Sequence, residues 1–294
     1  MNTTDKRSGS LDATIERATA WLVRRETAEP QALFLLATGG ATLATRLTAL
    51  ERIPFAKIDG TPAAWRETTL YTGKLGQLSV WLVDDAPGAA EDGGHEEPGE
   101  PAWARGFPVW LAGAAGASVM VHASAGYALP SEKKIAPGTL AFVRDHVNFS
   151  GRTPLLALGP SDLGPLFPDT SQLHNVELRE AALKLAEKLG VRAVEAVAAC
   201  VAGPCLETAA ERTFWARAGA DVAVQELHNP LIAAAHAGFA MLGIVCVTDA
   251  GEGASDVKGI VTRADGLAAA LEDVLVGLAG EIQSVAIDSG VDER

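Results

Sequence analysis

Two apolar, strand-like runs, each followed closely by an acidic residue, are the feature that most constrains the fold. The runs cover residues 195–202 and 242–247; Glu207 comes shortly after the first and Asp249 shortly after the second. Helical patterns fill the chain between them, and such alternation predicts an α/β fold with a central mixed, mostly parallel sheet. Ligands of such sheets bind at the carboxyl ends of strands, where two acids could bind the edge of a planar, hydrogen-bonding molecule. Alternatively, Glu207 only begins a helix and Asp249 only serves a turn.

Composition excludes several classes of function. The 294 residues carry a net charge of −13, which argues against a nucleic-acid partner, and 48% of them are hydrophobic. No apolar run has membrane-spanning length and the N-terminus lacks a signal-peptide pattern, so we expect no membrane association and a cytoplasmic location. The three cysteines show no metal-binding spacing, and their odd number indicates reduced thiols. We therefore expect neither a metal site nor an organic cofactor.

The first half of the chain contains a second candidate ligand site. Residues 32–37 form a buried strand pattern that runs through Thr38 into two glycines and a helical pattern reaching about residue 50. A turn of this kind presents free backbone N–H groups to an anion. Residues 65–84 predict a hairpin, and residues 85–101 are a loop rich in acids, glycine and proline.

The remaining patterns complete one three-layer α/β/α domain. We expect strands over 118–122 and 138–146, with Ser124 in the turn after the first of these. Helices are predicted over 107–116 and 177–189, and a final helix over 263–282. There is no internal repeat or linker. We assign residues 1–29 to a tail and helix, 30–282 to the domain and 283–294 to a C-terminal tail.

Residues 201–211 read VAGPCLETAAE, and residues 218–221 read AGAD. These segments resemble the trimeric purine nucleoside phosphorylase and methylthioadenosine phosphorylase family, whose patterns are VAGPxFETxAE and LGADxVGMS. The resemblance extends over roughly residues 30–282. It implies a phosphorylase-like fold and an enzyme that cleaves a purine nucleoside with inorganic phosphate as co-substrate.

The resemblance also implies a phosphate site, in which this chain departs from the family. Thr38 stands where the family has a serine whose hydroxyl binds phosphate, and Ser124 lies in the segment that supplies a backbone donor. His95 matches a phosphate-binding and catalytic histidine, but Gly93 replaces the family arginine two residues before it. Ala123 similarly replaces an asparagine. An arginine side chain can bind phosphate through two charge-assisted hydrogen bonds, so its loss predicts weaker phosphate binding.

The purine and ribose positions are carried over from the family in the same way. Glu207 and Asp249 correspond to catalytic and base-binding residues, with Thr248 beside them, and a protonated Asp249 would donate to the departing purine. Gln225 corresponds to a ribose contact, and Phe167 to the aromatic residue that a neighbouring subunit lends. A homotrimer follows from the resemblance. Glutamate together with aspartate is a mixed signature, which leaves 6-oxo and 6-amino purines both open.

Three functions remain compatible with the sequence. The first is reversible phosphorolysis of a purine ribonucleoside, deoxyribonucleoside or methylthioadenosine, yielding the free base and a sugar 1-phosphate. The second is a catalytically weakened family member that binds a nucleoside or purine. The third is a nucleosidase in which water replaces phosphate. The departures at Gly93 and Ala123 are what keep the second and third functions open.

Overall fold

We describe the fold from a computed structural model that covers residues 10–38, 40–84, 100–203, 205–225, 227–250 and 257–289. Gly93 and His95 therefore lie outside the described residues. The strands are β1 Ala32–Leu36, β2 Thr48–Pro54, β3 Thr69–Leu75, β4 Leu78–Asp84, β5 Val119–Ala128, β6 Thr139–Asn148, β7 Ala193–Cys200, β8 Val222–Val224 and β9 Ala240–Asp249. The helices are α1 Leu11–Arg24, α2 Gly40–Leu43, α3 Phe107–Ala114, α4 Val176–Leu189, α5 Ala209–Arg217, α6 His228–His236, α7 Val257–Gly277 and α8 Ala279–Ser289.

The strands form one mixed sheet in the order β2-β3-β4-β1-β5-β8-β7-β6-β9, and β9 also pairs with β5. Pairing is parallel for β1 with β4 and β5, for β5 with β9, and for β7 with β6 and β8. It is antiparallel for β2 with β3, β3 with β4, β5 with β8, and β6 with β9. The extra β5–β9 pairing closes five strands into a ring, and strand β5 lies where this ring meets the open sheet.

Side-chain alternation divides the interior into two apolar layers, one on each face of the sheet. In β1, Leu33 and Leu35 join a cluster with helices α1, α3 and α6. Ala32, Phe34 and Leu36 of the same strand join the opposite cluster, which contains residues of α4, α7 and α8. A sheet covered by helices on both faces requires apolar residues at successive strand positions, which is the pattern that β1 shows. The predicted single-domain α/β/α architecture with a mixed central sheet is confirmed.

Several predicted element boundaries were wrong because pairing partners are distant in sequence. The helical pattern expected up to residue 50 ends earlier, and β2 begins at Thr48 because it pairs with β3. Strand β5 does not stop at His122 but continues to Ala128, since β8 and β9 both pair with its second half. Ser124 therefore lies inside a strand rather than in a turn. The single C-terminal helix is instead the consecutive pair α7 and α8.

The two end segments of the described chain contribute to the same core. Leu11 and Ile15 of α1 are buried in the first apolar cluster, while Ile282 and Val285 of α8 are buried in the second. Asp12 also accepts hydrogen bonds from Ser161 and Asp162, and so ties α1 to a distant loop. Among the described residues, no helix combines the length and the apolar character needed to cross a bilayer.

Candidate active site

The base end of the candidate site is built where β9 and α5 approach the second half of β5. The sheet register places Asp249, the last residue of β9, opposite Tyr127 of β5. Glu207 comes from the loop between β7 and α5. The two acids lie on segments about forty residues apart, and the structure brings them to one place as the sequence predicted. What joins them is a residue that the sequence analysis missed.

That residue is Arg212, which is buried between the two carboxylates. Its Nη2 atom lies 3.5 Å from Oε2 of Glu207 and 3.5 Å from Oδ2 of Asp249. The exposed fractions of the side chains are 6% for Arg212, 3% for Glu207 and 19% for Asp249. The guanidinium carbon also lies 5.2 Å from the ring centroid of Tyr127, a cation–π distance. One buried cation thus links both predicted base-binding acids.

Helix α5 places Arg212 in this position. Thr208 caps the helix and forms a reciprocal capping box with Glu211, so the helix begins directly after Glu207. Arg212 and Trp215 are three residues apart and are the buried residues of α5, which shows that they share its inward face. The signal available in the sequence was the spacing of Arg212 and Trp215, which places an arginine on the same helix face as a tryptophan. By itself it could not distinguish a buried arginine from a solvated one.

Glu207 and Arg212 have unused hydrogen-bonding capacity. Both carboxylate oxygens of Glu207, and Nε and Nη2 of Arg212, are buried and have no hydrogen-bond partner among the described residues. Burial raises the pKa of Glu207 above its ordinary value, and the proximity of Arg212 and Gln225 offsets this only in part. Burial, then the charge of Glu207, raises the pKa of Tyr127 to about 12. Unpaired buried polar atoms are costly, so their grouping here indicates a ligand site.

Two other predicted residues at this end make contacts within the protein. Thr248 is fully buried, and its hydroxyl donates to the carbonyl oxygen of Gly126 at 3.1 Å. Gln225 follows β8 and donates from Nε2 to the carbonyl oxygen of Cys205 at 3.0 Å. The Gln225 side chain also packs against Gly203, where an added Cβ would lie only 2.2 Å from Oε1. A side chain at position 203 would therefore displace Gln225, which explains the glycine.

The phosphate end of the candidate site forms where β1 runs beside the middle of β5. The N–H of Ala37 donates to the carbonyl oxygen of Ala123 at 2.8 Å, so the segment that contains Thr38 runs alongside the segment that contains Ser124. Thr38 is half-buried and Ser124 is buried. The structure thus brings together the two backbone segments that carry residues predicted to bind phosphate, and within its own segment the Ser124 hydroxyl donates to the carbonyl oxygen of Ala125 at 3.4 Å. The third predicted contact, His95, lies outside the described residues.

Phe167 is far more exposed to solvent than the other predicted site residues that the structure describes. Its surface is 88% exposed, and it follows Leu166, which is 51% exposed, in the loop-rich segment before α4. An apolar ring presented to solvent contributes nothing to the pocket of its own chain. Its exposure fits the prediction that it works at a neighbouring subunit, and leaves that prediction open.

Two further histidines lie on strands β5 and β6. His122 is fully buried in β5, and burial lowers its pKa to about 4. His146 instead faces His174, with 3.1 Å between Nδ1 and Nε2. A separate cleft of about 770 Å³, bordered by Arg17, Lys57 and other residues, includes none of the predicted site residues.

Comparison with known proteins identifies the family and agrees with the fold. The family model described as the phosphorylase superfamily matches residues 32–278. Purine nucleoside phosphorylase 1 of Bacillus subtilis is 29% identical over 82% of this chain and 87% of its own, and its namesake from Geobacillus stearothermophilus is 30% identical over 82% and 86%. A solved Schistosoma mansoni purine nucleoside phosphorylase, isoform 2, has the same fold, with a TM-score of 0.79 at 20% identity over 92% of this chain and 97% of its own. The chain therefore belongs to the nucleoside phosphorylase family of the phosphorylase superfamily.

Proposed function

We propose that the protein is a purine nucleoside phosphorylase that cleaves the glycosidic bond with inorganic phosphate, yielding purine and sugar 1-phosphate. The observation that carries this proposal is the buried constellation of Glu207, Arg212 and Asp249, whose unused donors and acceptors suit the edge of a purine. The names of the bacterial relatives support the same activity. No organic cofactor or metal is required by this reaction.

In this proposal the site residues near strand β5 bind different parts of the two substrates. Glu207 accepts hydrogen bonds from N–H groups of the base, and the groups around Asp249 stabilise the negative charge that develops on the departing purine. Gln225 is assigned to a ribose hydroxyl because it follows β8, which pairs with the last residues of β5. Thr38 and Ser124 donate to phosphate, together with His95. Phosphate binding rests on such local donors because the net charge of −13 repels anions.

A phosphate-dependence assay over a panel of purine nucleosides tests the proposal. Cleavage that requires phosphate and yields sugar 1-phosphate supports it. Cleavage at the same rate without phosphate would replace it with a nucleosidase, and saturable binding of nucleoside without turnover would replace it with a binding protein. Chromatography of the sugar product distinguishes the first two outcomes directly.

We further propose that the protein is a cytoplasmic homotrimer in which Phe167 contributes to the pocket of a neighbouring subunit. Exposed large apolar side chains recur in one loop-rich segment, at Leu156, Leu166 and Phe167, and clustered apolar surface is typical of an interaction site. Cys200, Cys205 and Cys246 are all free, as expected in a reducing compartment.

A further inference from the structure

We propose that Arg212 is a catalytic residue, whose guanidinium binds the O6 and N7 edge of the purine and stabilises the charge on the departing base. This inference rests on the proposed function. It assigns to Arg212 the donor role that the sequence analysis gave to a protonated Asp249, and it makes Asp249 a positioning residue. It also predicts that 6-oxopurines are the preferred bases.

The guanidinium of Arg212 is buried but has unused hydrogen-bond donors among the described residues. Its Nε and Nη2 atoms have no hydrogen-bond partner among them. These two atoms can form one side-on edge of the guanidinium, the edge that makes paired hydrogen bonds. The two carboxylates that neutralise Arg212 lie 3.5 Å from Nη2, the outer limit of a hydrogen bond, and Nε has no hydrogen-bond partner among the described residues, so the ion pairs do not saturate this edge.

This edge of the guanidinium is complementary to the O6 and N7 edge of a 6-oxopurine. Two adjacent acceptors, O6 and N7, are what a paired guanidinium edge binds on guanine in other contexts. Both carboxylate oxygens of Glu207 lack a hydrogen-bond partner among the described residues, and they complement the N1–H of a 6-oxopurine and the 2-amino group of guanine. Donor and acceptor groups thus lie 3.5 Å apart in one buried cluster. A 6-amino group would instead direct its own donors at those of Arg212.

Negative charge develops on the purine during the reaction. As the bond between the anomeric carbon and N9 breaks, its electron pair goes to the base, and a phosphate oxygen forms the new bond to carbon. The negative charge spreads over the imidazole ring and the 6-oxygen, where a fixed cation stabilises it. The proton released from the phosphate reaches the base through water, so the products are neutral purine and the sugar 1-phosphate dianion.

Asp249 has a different task in this scheme. A carboxylate in an ion pair accepts hydrogen bonds and has no proton to give. Asp249 therefore serves to hold the guanidinium, together with Glu207 and the face of Tyr127. Arginine remains protonated at any pH at which the protein is folded, so the donor needs no adjustment of a carboxyl pKa.

Three variants of the full-length protein test the role of Arg212. Arg212→Gln removes the charge, Arg212→Lys keeps the charge but loses the paired edge, and Arg217→Gln is a matched control on the exposed face of the same helix. We expect Arg212→Gln to lower kcat for inosine about 100-fold or more, in the range seen when a stabilising donor is removed. Arg212→Lys should recover only part of that loss, and the control should stay near wild type.

The ratio of kcat/KM for inosine over adenosine separates this role from a purely structural one. It should fall at least about tenfold in Arg212→Gln, because only the 6-oxopurine loses an acceptor contact. An unchanged ratio, or a kcat within twofold of wild type, would overturn the proposal. If Arg212→Gln does not fold, Arg212→Lys decides: a kcat equal to that of wild type overturns the proposal, and a loss of about tenfold supports it.

A binding experiment keeps this inference separate from the proposed function. If the wild-type protein shows no phosphate-dependent cleavage, the proposed function fails. Calorimetric titration with hypoxanthine then tests Arg212 alone. Binding at least about tenfold weaker in Arg212→Gln than in Arg217→Gln supports the donor edge, and equal affinity in the two variants contradicts it.

Discussion

The two ends of the candidate site differ in how they handle charge. The base end holds two acids and an arginine in a buried cluster, with ion-pair distances of 3.5 Å and unpaired donors and acceptors. The phosphate end, as far as the described residues show it, offers the hydroxyls of Thr38 and Ser124. A prearranged ionic cluster discriminates strongly between ligands, while neutral hydroxyls each add a smaller and more replaceable contribution.

The two ends of the site differ in how they depart from the family pattern. The phosphate end has lost an arginine at Gly93, while the base end holds one at position 212. We therefore expect charge stabilisation in this protein to be concentrated on the leaving base rather than shared with the attacking phosphate. Variants at the two ends should then differ in which kinetic constant they change and by how much.

The largest effect is expected for Glu207→Gln. The amide puts a donor where the base requires an acceptor, and we expect a loss of about 2–4 kcal/mol in transition-state or base binding, roughly 30- to 700-fold in kcat/KM. The melting temperature should change little. Base affinity and thermal unfolding of the purified variant measure both effects. Unchanged affinity would remove the base end from the proposed site.

The same variant has a matched control and a pH signature. Glu211→Gln, at the exposed capping box of the same helix, should cost about 0.3–1 kcal/mol of stability and leave base affinity unchanged. Because the pKa of Glu207 is raised, ionised Glu207 is lost as the pH falls through that raised value. Base affinity should therefore decrease on acidification in the wild type, and Glu207→Gln should lack that titration.

A smaller effect is expected at the phosphate end. Thr38→Val and Ser124→Ala each remove one hydroxyl, and each should raise KM for phosphate about tenfold, with kcat for saturating phosphate less affected. Thr45→Val serves as the control, since the Thr45 hydroxyl donates to the carbonyl oxygen of Thr42 in a nearby exposed turn. A steady-state series in phosphate concentration measures the change. If base affinity falls while KM for phosphate stays constant, the division of the site into two ends is wrong.

The smallest effect on the site itself is expected at Phe167, which would act through assembly. Phe167→Ser should weaken the trimer and raise KM for the nucleoside a few-fold, because in the proposed trimer the ring would reach a neighbouring pocket rather than its own. Val23→Ser, which alters an exposed side chain of α1, is the control. Light scattering over a range of concentrations gives the mass. A wild-type protein that is monomeric at micromolar concentration would contradict the trimer.

Local sequence patterns were sufficient for much of the fold. The alternation of apolar runs with helical patterns predicted the α/β/α layers, because an element buried on both faces needs apolar residues at successive positions. The hairpin before residue 84 and the helix that follows Glu207 were likewise predictable from local signals, since turns and caps depend on neighbouring residues. The motif at 201–211 identified the family, which the comparisons confirm.

By itself the sequence determined the family, the layered architecture and the two candidate acids, because those features are written in local periodicity and in one continuous motif. Only the tertiary structure decided the length of β5, the closure of β9 onto it and the position of Arg212 between Glu207 and Asp249. The physical reason is that a buried charge acquires its role from partners far along the chain. Whether an arginine on a helix meets solvent or two carboxylates depends on where the helix packs.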